Sequence, residues 1–303
     1  MGKKNTAKAY VAGIIFATLI GFSFFGVKIS VRYALPNYVM AYRFDFAFLA
    51  MLIFWLLRRK ALSIKGKSVK SKGKIFGVGF FYSLFMLLQV IGLGYATSIE
   101  AAIIFATAPI FVVILATIFL KEKSTFLQTI FVFVVIGALV VMAVMNAGTV
   151  SFNPKATLIL IFSTISMSSY TVLIRSLRYE YDPGEISSVT IIFGFVVFNT
   201  WMIIESFAQH SARMYFEGFK NFSLMGATAY LGIFCVLIST MLIGYMSQHL
   251  SSVITSVMGN ISTSISIIVG AVLLSEPIYG FQIVCTVVII AGIIGVAKTG
   301  GEH

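Results

Sequence analysis

The stretch Tyr82–Met145 carries Gln89, then Gly-Leu-Gly-Tyr-Ala-Thr-Ser at 92–98, then Glu100. An apolar run follows, interrupted by Thr107 and Pro109. The stretch then turns at Leu120-Lys121-Glu122-Lys123 and runs apolar again from Phe126. It reads as a helical hairpin in lipid with a third span behind it. A second copy lies 154 residues on: Ser98 falls on Ser252, Leu120 on Leu274, Glu122 on Glu276, Gln128 on Gln282, and Gly137-Ala138 on Ala291-Gly292. The front of each half matches at an offset of 146, with Phe16-Ala17-Thr18 on Phe162-Ser163-Thr164 and Arg32-Tyr33 on Arg178-Tyr179.

Composition fits a lipid solvent. Of 303 residues, 59% are hydrophobic and 11% charged, and the mean hydropathy is +1.01. A soluble domain carries about 25% charged residues. A net charge of +12 would suit nucleic acid, but eight of the 22 Lys and Arg lie in the single segment Arg58 to Lys74 between apolar runs. That placement is a membrane-topology signal and not a nucleic-acid face. Cys235 and Cys285 fall inside apolar runs and read as small buried hydrophobes. The histidines, His210, His249 and His303, show no metal-ligand spacing. The first apolar run lacks a small-residue cleavage site and reads as a span, not a signal peptide.

A span needs roughly 20 mostly apolar residues. Ten segments meet this: 9–28, 38–57, 75–95, 99–119, 125–146, 155–174, 186–207, 225–247, 251–274 and 279–297. Loops are short apart from 58–74 and a polar loop at 208–223. With the N-terminus in the cytoplasm, that side holds Lys3, Lys4, Lys8, the eight cations of 58–74, Lys121, Lys123, Arg175, Arg178 and Lys298, which is 16 against five opposite. The expectation is therefore an all-α protein of the cytoplasmic membrane with both termini inside. Five spans per half is odd, so the halves, 1–150 and 151–303, enter the membrane from opposite sides. Two inverted five-helix repeats around a midplane site are a transporter architecture.

At this point the chain resembles the drug/metabolite transporter superfamily, in its EamA-type ten-span branch. The residues that carry the resemblance are Gly21 to Lys28, Tyr42-Arg43-Phe44, Gly94-Tyr95-Ala96-Thr97-Ser98, Ala108-Pro109-Ile110-Phe111, and the Leu120-Lys121-Glu122-Lys123 hairpin with Gln128 and its second copy around Glu276. The chain departs from the pattern at Phe22 and Phe24, where such proteins often carry Trp-Gly, at Asp45 and Glu100, and at Thr263 in place of a second Pro109. The resemblance implies movement of small organic metabolites by alternating access, with no bound cofactor.

Charges inside spans are costly, at about 2.5–3.5 kcal/mol each, and mark candidate sites. Arg43 reads either as a snorkelling cation or as a substrate ligand. Glu100 reads either as a helix first-turn carboxylate or as a coupling group that meets Arg43. Asp45 lies deeper and needs a partner or a proton. Candidate substrate contacts are Arg43, Gln89, Glu100, Thr107, Tyr170, Asn199, Asn260 and Thr263, with Glu100 and Asp45 as proton-coupling candidates and Pro109 as a hinge. No metal site is expected. Glu122 and Glu276 read as turn architecture, and the basic loop as a topology determinant.

Expected partners are a small-molecule substrate and the bilayer, with no nucleic acid and a homodimer left open. Arg43 and the hydroxyl-rich ninth span suit a carboxylate, while Glu100 and Asp45 suit an amine, so the reading leans towards a zwitterion such as an amino acid; export is the expected direction, though the residues do not set it. The alternatives are efflux of cationic amphiphiles and, in another class, an intramembrane enzyme on lipid substrates.

Overall fold

Proline and polar caps cut the apolar chain into helices. Pro36, Pro154 and Pro183 are the first residues of α2, α7 and α8, and Pro109 is the second residue of α5. At these positions the missing N–H costs nothing. Asn153 accepts the Lys155 and Ala156 amides at the start of α7. Asp182 and Glu185 close a reciprocal capping box at the start of α8 (2.9 and 3.0 Å). A computed structural model describes residues 3–58, 67–96, 98–147, 153–208, 212–274 and 279–299. Among these residues the regular structure is entirely helical.

In order, the elements are α1 Lys3–Ser30, α2 Pro36–Arg58, α3 Val69–Leu93, α4 Ser98–Ala106, α5 Ala108–Leu120, α6 Phe126–Ala147, α7 Pro154–Ser176, α8 Pro183–Ala208, α9 Ala212–Gly218, α10 Phe222–Gly232, a π-helical segment Ile233–Ile238, α11 Ser239–His249, α12 Ser252–Gly259, α13 Ile261–Leu274 and α14 Gly280–Thr299. Among the described residues, nine helical stretches are long and apolar enough to cross a membrane, with α4–α5 counted from Ile103 and α10–π–α11 counted as one. The expected span at 251–274 is different. It is two helices of 8 and 14 residues that meet at Asn260. The fourth span is broken in the corresponding place, at Thr107 between α4 and α5.

The packing repeats between the halves. α3 of the first half lies along α7 and α8 of the second; conversely, α10 of the second half lies along α1 and α2 of the first, and α11 along α1. The broken helices also correspond, with α4 and α5 against α7, and α12 and α13 against α1. α6 and α14 pair with each other.

In lipid there is no hydrophobic drive between helices, so close approach through small residues holds them. The paired small residues at 137–138 and 291–292 are used unequally. A Cβ on Gly292 would fall 2.6 Å from Val135 and one on Gly295 2.4 Å from Phe131, whereas Gly137 has nothing within 4 Å. The α6–α14 crossing therefore rests on the α14 glycines.

The repeated glutamine also has a local explanation. Gln128 and Gln282 are each the third residue of a helix. The Gln128 amide donates to Thr125 Oγ1 (3.1 Å), and Gln282 Oε1 accepts the Tyr279 amide (3.0 Å). Both are capping-box bonds.

Candidate functional site

Arg43 sits seven residues into α2, about 10 Å from its start at 1.5 Å per residue. It is 9% exposed, and its Nε has no hydrogen-bond partner. It lies near enough to Tyr82 of α3 and Cys235 of the π-helical segment for its charge to act on both. The approach is set by Gly232. A Cβ there would fall 2.3 Å from the Arg43 carbonyl oxygen and 2.9 Å from the Ala47 nitrogen. Two backbones touch at this point, and the π turn that follows lies beside the cation. Such turns are frequent at functional sites.

Aromatic rings line the next layer. Phe44 stacks on Phe198 at 4.9 Å and Phe48 on Phe195 at 4.4 Å, which joins α2 to α8. Tyr82 lies 5.0 Å from Tyr170 between α3 and α7, and Phe44 meets Tyr82 edge-on at 6.5 Å. The Tyr170 side chain is fully buried, and its hydroxyl makes no hydrogen bond within normal geometry. A buried guanidinium with an unpartnered Nε is what an anionic group would use.

Asp45 points to a different place. Its Oδ1 accepts from Asn199 Nδ2 at 2.8 Å and its Oδ2 from the Tyr215 hydroxyl at 2.6 Å. Tyr215 belongs to α9, which lies inside the segment expected to be a polar loop. With seven residues α9 is too short to span. It is held against α2 by the Tyr42–Tyr215 stack (4.7 Å, 15°) and by a hydrogen bond from the Tyr42 hydroxyl to the Tyr215 carbonyl. Burial first, then the hydrogen bond to Asp45 and that carboxylate's charge, push the Tyr215 phenol above its ordinary value. Tyr215 is the residue that sequence reasoning missed. The signal was an aromatic run, Tyr215, Phe216 and Phe219, inside a polar loop.

The other candidates fall as follows. Asn199 is brought to Asp45 and also donates to the Phe195 carbonyl. Thr107 spends its hydroxyl on the Ile104 carbonyl (2.6 Å) at the α4–α5 break, and Pro109 is buried in the first turn of α5. Asn260 ends α12 with Nδ2 unpartnered, and Thr263 lies in the first turn of α13. Gln89 is partly buried on α3. The backbone of Glu100 is in α4, but its side chain lies outside the described residues, as do Glu276 and residues 59–66 of the basic loop. α4 packs on α6 and α7, whereas α2 packs on α8, α10 and the π-helical segment, so the helices carrying Glu100 and Arg43 have different neighbours.

Two charges read as peripheral are central to one end of the bundle. Arg175, one of the cations expected at the cytoplasmic loops, is 5% exposed and pairs with Glu122 (Nε–Oε1 2.9 Å). Glu122 keeps its turn role as well, because its amide joins the Ala116 carbonyl beside Lys121, which adopts φ 58°. A separate cleft of about 430 Å³ opens at the α7–α8 turn, beside Lys67 and Arg178, and includes the Asp182–Glu185 capping pair.

Comparison with known proteins agrees with this architecture. The profile of the EamA-like transporter family matches residues 7–144 and 154–298, once in each half. An uncharacterized transporter of Bacillus subtilis, YcxC, is 31% identical over 97% of this chain and 94% of its own length. An uncharacterized transporter of Archaeoglobus fulgidus is 26% identical over 89% of this chain and 92% of its own. One solved crystal structure superposes with a TM-score of 0.77 over 97% of this chain and 98% of that one; at 15% identity it shows a shared fold.

Proposed function

The chain belongs to the EamA-like transporter family, whose repeat occurs in both halves, and on that premise we propose that it is a secondary transporter that exports a small organic metabolite bearing a carboxylate, an amino acid or related zwitterion, by alternating access. It is a multi-pass membrane protein. The proposed orientation places both termini in the cytoplasm, on the 16-to-five distribution of Lys and Arg. The halves are read as inverted repeats. The matched breaks at Thr107 and Asn260 and the exchangeable packing pattern support that reading.

The observation that carries the substrate class is Arg43, a buried cation with an unpartnered Nε near Tyr82, which in turn meets Tyr170. A carboxylate would neutralise it and take up the free donor. Asp45 weighs against the cationic-amphiphile alternative, because both its oxygens are already engaged by protein donors. The alternating-access cycle would bend at the Thr107–Pro109 and Asn260–Thr263 breaks, where helix ends leave backbone groups unpaired.

The test is counterflow in proteoliposomes with a radiolabelled amino-acid mixture, comparing wild type with Arg43→Gln and Arg43→Lys. Saturable counterflow is expected for wild type. Loss of at least about tenfold is expected for Arg43→Gln, by analogy with removal of one charged partner from a buried pair. Arg43→Lys keeps the charge and loses the planar fork, so partial activity is expected. Counterflow at the wild-type rate in Arg43→Gln would overturn the assignment.

A further inference from the structure

Four chain segments meet at the end of the bundle that carries the α5–α6 turn. Glu122 comes from that turn. Arg175 comes from the last turn of α7, Ser247 from near the end of α11, and Ser252 from the start of α12. Arg175 Nε donates to Glu122 Oε1 (2.9 Å), and Arg175 Nη1 donates to the Ser247 carbonyl (2.7 Å). Glu122 Oε2 accepts the Ser252 amide (3.1 Å). Glu122 is thus the only one of the four from the first half; it bonds directly to α7 and α12 of the second, and through Arg175 it is tied to α11.

The geometry is built for this purpose. Lys121 ends α5 in the left-handed region (φ 58°, ψ 24°), and both its amide and that of Glu122 turn back to the Ala116 carbonyl. A non-glycine residue is uncommon in that conformation. It turns the chain so that Glu122 reaches the second half. The carboxylate also sits at the first turn of α12, where free amides and the helix dipole favour a negative charge. Behind this cluster, Ala116 and Val112 of α5 pack against Val172 of α7 in a sealed apolar layer.

We infer that the Glu122–Arg175–Ser247–Ser252 cluster is a latch. It joins the two halves at this end, cytoplasmic in the proposed orientation, and it must part each time the transporter opens to that side. The inference rests on the alternating-access reading, because only a cycle that separates the halves requires the cluster to break. A buried pair bonded to two backbone groups is stable while closed. Once water reaches it, both ions regain solvation, so an open state is accessible. The turn motif therefore supplies a movable contact as well as a bend.

The test uses the full-length protein in proteoliposomes with Cys235 and Cys285 replaced by serine and a reporter cysteine at Ala116, behind the cluster. A membrane-impermeant maleimide is added from the Glu122 side. Labelling is expected to be slow in the otherwise unaltered chain and about tenfold or more faster with Glu122→Gln or Arg175→Gln. Equal labelling in all three overturns the latch. This arm needs no substrate, so it can fail or succeed independently of the transport reading. A second variant without the reporter carries Glu122→Cys with Ser252→Cys, joined by a short reducible bis-thiol cross-linker. Counterflow of the radiolabelled amino-acid mixture is expected to stop on cross-linking and to return on reduction. Unchanged counterflow in the cross-linked protein would make the cluster a static brace and overturn the inference even if labelling had changed.

Discussion

Replacing Tyr215 by Phe removes one oxygen and keeps the ring that stacks on Tyr42 at 4.7 Å. The lost bond is the 2.6 Å hydrogen bond to Asp45 Oδ2. Hydrogen bonds to charged groups contribute about 1.5–3 kcal/mol. Tyr215 is only partly buried, so the low end applies, which is about a tenfold change in the docking equilibrium of α9. Asp45 keeps its bond from Asn199, so α2 and α8 remain tied at that level. Hydrogen exchange followed by mass spectrometry should show about tenfold faster exchange in Ala212–Gly218 and unchanged exchange in α8.

The pH dependence has a definite sign. The Tyr215 phenol is raised when docked, chiefly by burial. Its contribution is therefore whole below the ordinary phenol value of about 10 and is lost as pH rises from there towards the raised value. The difference in melting temperature between wild type and Tyr215→Phe should be constant from neutral pH to about 10 and shrink above it. Equal exchange of α9 in the two proteins at neutral pH would refute the claim that Asp45 holds this helix in place.

Three further outcomes follow from the packing and the proposed orientation. Gly232→Ala drives a Cβ into the α2 backbone, 2.3 Å from the Arg43 oxygen, and should destabilise by about 1–3 kcal/mol. Gly226→Ala meets nothing within 4 Å and should stabilise by about 0.5–1 kcal/mol; melting temperatures moving in the same direction would contradict the geometry. Ser163→Ala removes the 2.9 Å bond from α7 to the Phe85 carbonyl of α3. It should cost only about 0.6 kcal/mol in thermal or denaturant unfolding, the average for such bonds between spans. Reporter fusions at the two termini should both read as cytoplasmic; opposite readings would imply an odd number of spans.

Long apolar runs, prolines and loop cations are local along the chain, and they suffice for a multi-pass helical protein, the family and a hinge at Pro109 in the fourth span. Pro109 marked the break in the fourth span because a proline cannot continue a hydrogen-bond ladder. The ninth span, expected as one helix over 251–274, carries no proline to mark its break at Asn260, which falls one residue from the position that matches Thr107 at the 154-residue offset. Arg43, Tyr170 and Asn199 were legible as polar groups at span depth, but their mutual placement was not. Asp45 and Asn199 are 154 positions apart, Asp45 and Tyr215 170, and Glu122 and Arg175 53. Each pairing depends on how far a helix is rotated about its own axis. A helix in lipid does not encode that rotation well, because its lipid-facing and buried surfaces are similarly apolar. Hydropathy therefore determined which segments cross. Only the packed bundle decided that Asp45 holds α9, that Arg175 is buried rather than exposed in a loop, and that Glu122 reaches from one half into the other.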